Sequence, residues 1–129
     1  MPPLFENPST VPPPVAHYSH VARVGNTLFI SGQLAVDADG KLVGIGDSRA
    51  QARQIWANLQ GILQHYGVGP EAIAKLTTFI THPAYRAPVG EARDEVYPAP
   101  PYPASTLVVV SALAEPQYLV EIEAVAMLD

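Results

Sequence analysis

A chain of 129 residues suits one domain with a sizeable core, since about 150 residues already hide about 68–70% of their unfolded surface. Hydrophobic residues make up 48% and charged residues 15%, below the roughly 25% charged share of ordinary soluble domains, so apolar surface is expected to remain for subunit contacts. Seven Lys and Arg against twelve Asp and Glu give a net charge of −5, and there is no cysteine; the first argues against a nucleic-acid partner, the second removes thiol catalysis, disulfides and Cys-ligated metal.

Fourteen prolines fall mainly into two groups, six within residues 2–14 and six within 83–103, which marks both stretches as loops or extended arms. Residues 1–14 are read as a proline-rich arm and 15–129 as the single domain. The first basic residue is Arg23, so no secretory leader is expected, and no stretch approaches the ~18 apolar residues of a membrane span. A soluble, cytoplasmic chain is the expectation.

His20 to Val24 and Thr27 to Gln33, joined by Gly25-Asn26, read as a β-hairpin, because that pair tolerates the positive φ of a tight turn. A third short strand is expected at Lys41 to Val43, after Asp39-Gly40. From Ser48 to Tyr66 the period changes: Ala52, Ile55, Trp56, Leu59, Ile62, Leu63 and Tyr66 recur at steps of three and four, the mark of one amphipathic helix. Asp47 is placed to cap it and Gly67 to end it.

Gly69-Pro70 restarts the chain with a short turn before a strand at Lys75 to Thr81. Pro88 is read as opening a second helix through Tyr97, with Val89, Ala92 and Val96 inward. Strands at Ser105 to Val110 and Tyr118 to Leu128 complete the order ββ(β)αβαββ. The class is α+β, with the helices on one face of a mixed sheet.

The last strand is the most informative about chemistry. Tyr118, Val120, Ile122, Ala124, Ala126 and Leu128 share one face, and Leu119, Glu121, Glu123, Val125 and Met127 the other. Two carboxylates on an otherwise apolar face fit a cleft or subunit seam, where one glutamate can hold a raised pKa and act as general acid or base. They also fit a half-exposed face with solvated glutamates.

His17 and His20 lack a third ligand and point to opposite faces of an extended chain, so no metal is expected; capping and turn roles suit them better. Ser31-Gly32 interrupts an apolar strand, which calls for a bulge or for close approach to the backbone. Gly44-Ile45-Gly46 is a poor phosphate loop, because Arg49 stands where a third glycine belongs and Asp47 would repel the anion. Arg49 and Arg53 are read as a solvated helix face, and Trp56 as core.

Taken in order and spacing, YSHVARVGNTLFISGQ at 18–33, AQARQIWANLQGIL at 50–63, AKLTTFIT at 74–81, PAST at 103–106 and VEIEAVA at 120–126 resemble the RidA family, also called YjgF, the reactive-intermediate deaminases once described as L-PSP endoribonucleases. The resemblance covers about residues 15–128. It implies a chorismate-mutase-like α+β fold, a homotrimer with clefts at the subunit seams, and hydrolysis of a small-molecule enamine or imine to a keto compound and ammonia, without metal or organic cofactor.

By position, Tyr18 matches the cleft tyrosine, Ser31 and Gly32 the backbone site, and Glu121 the glutamate that positions water. Asp94 stands where an asparagine often occurs, and Thr106 where a cysteine sometimes does. Ala104, followed by Ser105, stands where active members carry an arginine that grips the substrate carboxylate in a bidentate fork. The chain is therefore similar to an arginine-lacking subgroup. Two further functions stay open: a noncatalytic trimer that binds a metabolite in the same cleft, and an endoribonuclease or translation inhibitor, which the acidic balance disfavours.

Overall fold

The protein is described by a computed structural model covering residues 2–129. Its six strands are β1 (Leu4–Glu6), β2 (Val21–Val24), β3 (Thr27–Gln33), β4 (Ile73–Ile80), β5 (Ala104–Val109) and β6 (Val120–Met127), and its helices α1 (Ser48–His65) and α2 (Arg86–Val96). They form one mixed sheet in the order β1-β2-β3-β6-β4-β5. Only β4 and β5 run parallel as neighbours; the other pairs are antiparallel. The arrangement is the α+β class expected from the sequence.

Turn chemistry sets the hairpin. Val24 pairs with Thr27, and the positive φ of the two-residue loop, 58°, falls on Gly25, the first central position that a type II′ turn reserves for glycine. Helix α1 starts where Asp47 accepts a bond from the Ala50 amide at 3.0 Å, satisfying an N–H that the first turn leaves without a partner. Its stripe of Ala52, Ile55, Trp56, Leu59, Ile62 and Leu63 is buried. These side chains meet Leu28, Ile30, Leu76, Ile80, Val120 and Ile122 from the sheet, each fully buried aliphatic contributing about 1.5–3 kcal/mol. α1 packs on α2 and on β6 and β3, so both helices cover one face of the sheet.

Three expectations about local structure are corrected. No strand forms at Lys41–Val43; a single bridge joins Val36 to Leu42. The Asp37 carboxylate takes the amides of Asp39 and Lys41 at 2.9 and 3.0 Å, and this side-chain turn leaves room for only one ladder pair. Helix α2 begins at Arg86, so Pro88 lies inside the first turn, where its missing N–H has no helical partner to lose. Tyr118 sits in a turn ahead of β6, its amide bonded to the Glu115 carbonyl at 3.1 Å.

The proline-rich arm carries β1, which pairs with β2, and Val11, which is buried in the core. Glu6 accepts a bond from the Tyr66 hydroxyl at 2.7 Å, tying the arm to the end of α1. Two buried polar residues of α1 anchor loops. The Gln51 amide nitrogen donates to the carbonyls of Gly44 and Gln117, and its oxygen accepts from the Leu119 amide at 2.9 Å. Asn58 donates to the carbonyls of Leu34 and Val36. Gln51 thereby fixes the segment that leads into Glu121.

Candidate functional site

The sheet face opposite the helices is uncovered within the chain. Along β6, Val120, Ile122, Ala124 and Ala126 are buried, while Glu121 and Val125 are half-buried and Glu123 and Met127 exposed. Phe5, Phe29 and Val108 are also exposed; register places each on the open face beside Ala22, Val125 and Phe79 respectively.

At one end of this face the structure brings Gly32 against Glu121, and Tyr18 lines a groove alongside Ser31. The pairing of β3 with β6 shifts register between Ile30 and Gln33, so Ser31 and Gly32 form a bulge, one of the two readings that the interrupted strand pattern allows. The Glu121 carboxylate lies against Gly32 so closely that a Cβ there would stand 2.1 Å from Oε2 and 2.7 Å from Cδ. The close approach that the glycine serves is thus made by Glu121. Burial first, and the Glu123 charge second, push the Glu121 carboxyl above the ordinary carboxylate range.

Ser31 is held by its surroundings: its hydroxyl donates to the Ser19 carbonyl at 2.6 Å and its amide to the His20 carbonyl at 2.9 Å. Tyr18, Ser19 and Ser31 line a shallow groove with Phe29, Glu123 and Val125. The Tyr18 ring meets His20 edge-on with centroids 6.2 Å apart. Sequence reasoning placed Tyr118 with the apolar face of the last strand; burial first, then Glu115 and Tyr18, raise its pKa. Gln51 was likewise missed, although the spacing 48, 51, 55, 58, 62 marks both it and Asn58 as edges of the buried stripe.

The other predicted residues stand apart. Ala104 is level with Lys75, which is level with Val125; Glu121 lies four residues further along β6, roughly 13 Å at about 3.3 Å per residue. Thr106 is on the same face and accepts a bond from the Lys75 ammonium. Ser105 points the other way and shares a groove with Asp94, Arg93, Tyr97 and Tyr102. Asp94 is exposed and paired to Arg93 at 3.1 Å. Within one chain, then, the predicted residues fall into a Glu121 group and a β5-edge group.

His20 and His17 do not meet at a common point with acidic residues, and among the described residues there is no group of three His, Asp or Glu able to hold a metal ion. Arg49 and Arg53 are half-exposed, as expected of a solvated helix face, and each pairs with a glutamate of α2, Glu91 and Glu95. No helix among the described residues is long and apolar enough to cross a membrane.

The family described as Endoribonuclease L-PSP matches residues 9–128. A RutC family protein of Pyrococcus horikoshii is 34% identical over 89% of this chain and 90% of its own length. A 2-iminobutanoate/2-iminopropanoate deaminase of Dermatophagoides farinae is 26% identical over 92% of this chain and 91% of its own. Among solved structures, a protein of unknown function of the Rid family from Yersinia pestis superposes with a TM-score of 0.89 at 30% identity, covering 97% and 98% of the two chains. With its two helices on a mixed six-stranded sheet and a matching sequence along nearly its whole length, the chain belongs to the RidA/YjgF family, the endoribonuclease L-PSP group.

Proposed function

We propose that this protein hydrolyses a small enamine or imine to a carbonyl compound and ammonia, in a cleft between the subunits of a homotrimer, with Glu121 as general acid and base. The observation that carries the reading is the Glu121 carboxyl: half-buried, with a raised pKa, and seated on bare backbone at Gly32. A carboxyl with its pKa moved toward neutrality exchanges protons more readily near the working pH. An enamine first tautomerises to the imine. Ionised Glu121 takes a proton from water as the oxygen adds to the C=N carbon and returns it to nitrogen, giving a carbinolamine. It then takes the hydroxyl proton and delivers it to the amino nitrogen as the C–N bond breaks, so that ammonia leaves and the carbon keeps the oxygen as C=O. No step calls for a metal or organic cofactor.

The separation of the two residue groups supports the trimer. A small substrate cannot span the roughly 13 Å along the sheet between Ala104 and Glu121, so a complete cleft takes the Glu121 group of one chain and the β5 edge of another. The exposed Phe5, Phe29, Val108 and Met127 give this face the apolar surface a subunit contact needs. Ala104 offers no fork for a carboxylate. Lys75 beside it is a point charge already bonded to Thr106 and does not replace bidentate recognition; each lost charged hydrogen bond forfeits about 1.5–3 kcal/mol. Substrates whose binding does not depend on a carboxylate are therefore favoured.

Light scattering on the full chain is expected to give a trimer, and ammonia release from imines with and without a carboxylate to fall about a hundredfold in Glu121→Gln. A stable monomer removes the seam, and unchanged turnover in that variant removes the role of Glu121. Binding of such compounds without turnover by the wild type transfers the reading to a noncatalytic metabolite-binding trimer. An RNA substrate is opposed by the net charge of −5 and by Glu121 and Glu123 on the open face.

A further inference from the structure

His20 is 7% exposed and Gln33 4%, and their side chains connect the N-terminal arm to the bulge beneath Glu121. The His20 Nε2 lies 2.7 Å from the Pro12 carbonyl. That oxygen only accepts, so Nε2 carries the proton, and Nδ1 is left with a lone pair that accepts from the Gln33 amide nitrogen at 3.2 Å. The same nitrogen donates to the Ser31 carbonyl at 3.1 Å, which fixes the orientation of the Gln33 amide. On the backbone, the His20 amide donates to Asn7 Oδ1 at 2.8 Å, and its carbonyl accepts from the Ser31 amide at 2.9 Å. Ser31 is gripped from both sides by His20 and Gln33, and the next residue is the Gly32 on which the Glu121 carboxyl rests.

We propose that His20 is a positioning residue through which the proline-rich arm, held at Asn7 and Pro12, sets the place of the Ser31-Gly32 bulge and hence the burial of Glu121. The inference rests on the reading of Glu121 given above. The ring suits the task because it presents a donor to the arm and an acceptor to Gln33 on opposite sides of one rigid plane. A backbone displaced by the loss of either bond alters the carboxyl it supports, and catalytic geometry is sensitive to shifts of about 1 Å.

Two substitutions separate the halves of the ring. His20→Gln keeps a donor near the Nε2 position but loses the acceptor for Gln33; His20→Asn keeps an acceptor near Nδ1 but loses the link to Pro12. On the full-length protein, carbon-13 NMR titration of the Glu121 carboxyl is read together with kcat and KM for the imine that the wild type hydrolyses. His20→Gln is expected to bring the Glu121 titration down toward the ordinary carboxylate range and to lower kcat about tenfold, with KM within about twofold. His20→Asn, which cuts the ring from the arm at Pro12, is expected to shift that titration in the same direction and to lower kcat, with KM within about twofold. Gln33→Met, which removes the same link from the other side, is expected to reproduce the His20→Gln titration and serves if that variant does not fold.

An unchanged Glu121 titration in both His20→Gln and Gln33→Met overturns the proposal, as does an unchanged titration in a folded His20→Asn. Undiminished turnover in Glu121→Gln refutes the catalytic reading instead, and the titration still decides the relay.

Discussion

The two faces of one strand, β6, show two different solutions to the same sequence period. Val120, Ile122, Ala124 and Ala126 are buried beneath the helices. Their neighbours Glu121, Glu123, Val125 and Met127 look onto a surface that the chain itself leaves open. On the covered face the hydrophobic effect is satisfied within the chain and nothing is left to react. On the open face a carboxyl is half-desolvated beside apolar side chains that remain in water, a condition that raises its pKa and calls for a partner surface. The lesson is that the carboxyl with the raised pKa sits where packing is incomplete, one residue away from where it is complete.

The contrast is broken most strongly by emptying the covered face. Ile122 is 1% exposed, so Ile122→Ala is expected to cost about 2–5 kcal/mol in denaturant unfolding. Met127→Ala, at an exposed position, is expected to cost less than the covered-face change under conditions where the chain is monomeric. Equal losses would mean that the open face is packed after all.

A smaller effect tests the link between the faces. Gln51 is fully buried and satisfies Leu119, Gly44 and Gln117; Gln51→Met strands those backbone groups and is expected to cost about 1–3 kcal/mol. Because Leu119 precedes Glu121 by two residues, the same variant is expected to lower turnover by more than its loss of folded protein accounts for. Turnover that falls only with the folded fraction would separate the loop from the site.

The smallest expected effect sharpens the electrostatics. A carboxyl whose folded pKa lies above its unfolded value binds more protons in the native state, so the protein loses stability as pH rises from the unfolded carboxylate pKa, about 4.3, through the raised folded value. Glu121→Gln removes that penalty. The variant is expected to be slightly more stable than wild type at neutral pH, with the difference vanishing below about pH 4. Thermal melts across that range check the sign, and a variant less stable at neutral pH contradicts a desolvated Glu121.

Much of the fold was legible locally. The hairpin, α1 with its Asp47 cap, and the alternation of β6 follow from spacing and turn chemistry within short windows, which the backbone imposes wherever the chain runs. Strand β1 was not legible, because Leu4-Phe5-Glu6 is too short for a period and exists only by pairing with β2 some seventeen residues on. The site divides in the same way. Glu121 and Gly32 could be singled out from an odd carboxylate and an odd glycine, but the buried roles of Gln51, Gln33 and His20 depend on partners distant in sequence.

The sequence by itself determined the helices and most strands, the α+β class, the family, and Glu121 as the residue of interest, since each is written in composition, period or motif. Only the tertiary structure decided that Ser31-Gly32 is the bulge on which Glu121 rests, that the arm is tied to it through His20 and Gln33, and that Ala104 lies far along the sheet from that carboxyl. Those are matters of strand order and register. They are settled when distant segments bury one another's apolar surface and pair their backbones, a choice that no single stretch of chain contains.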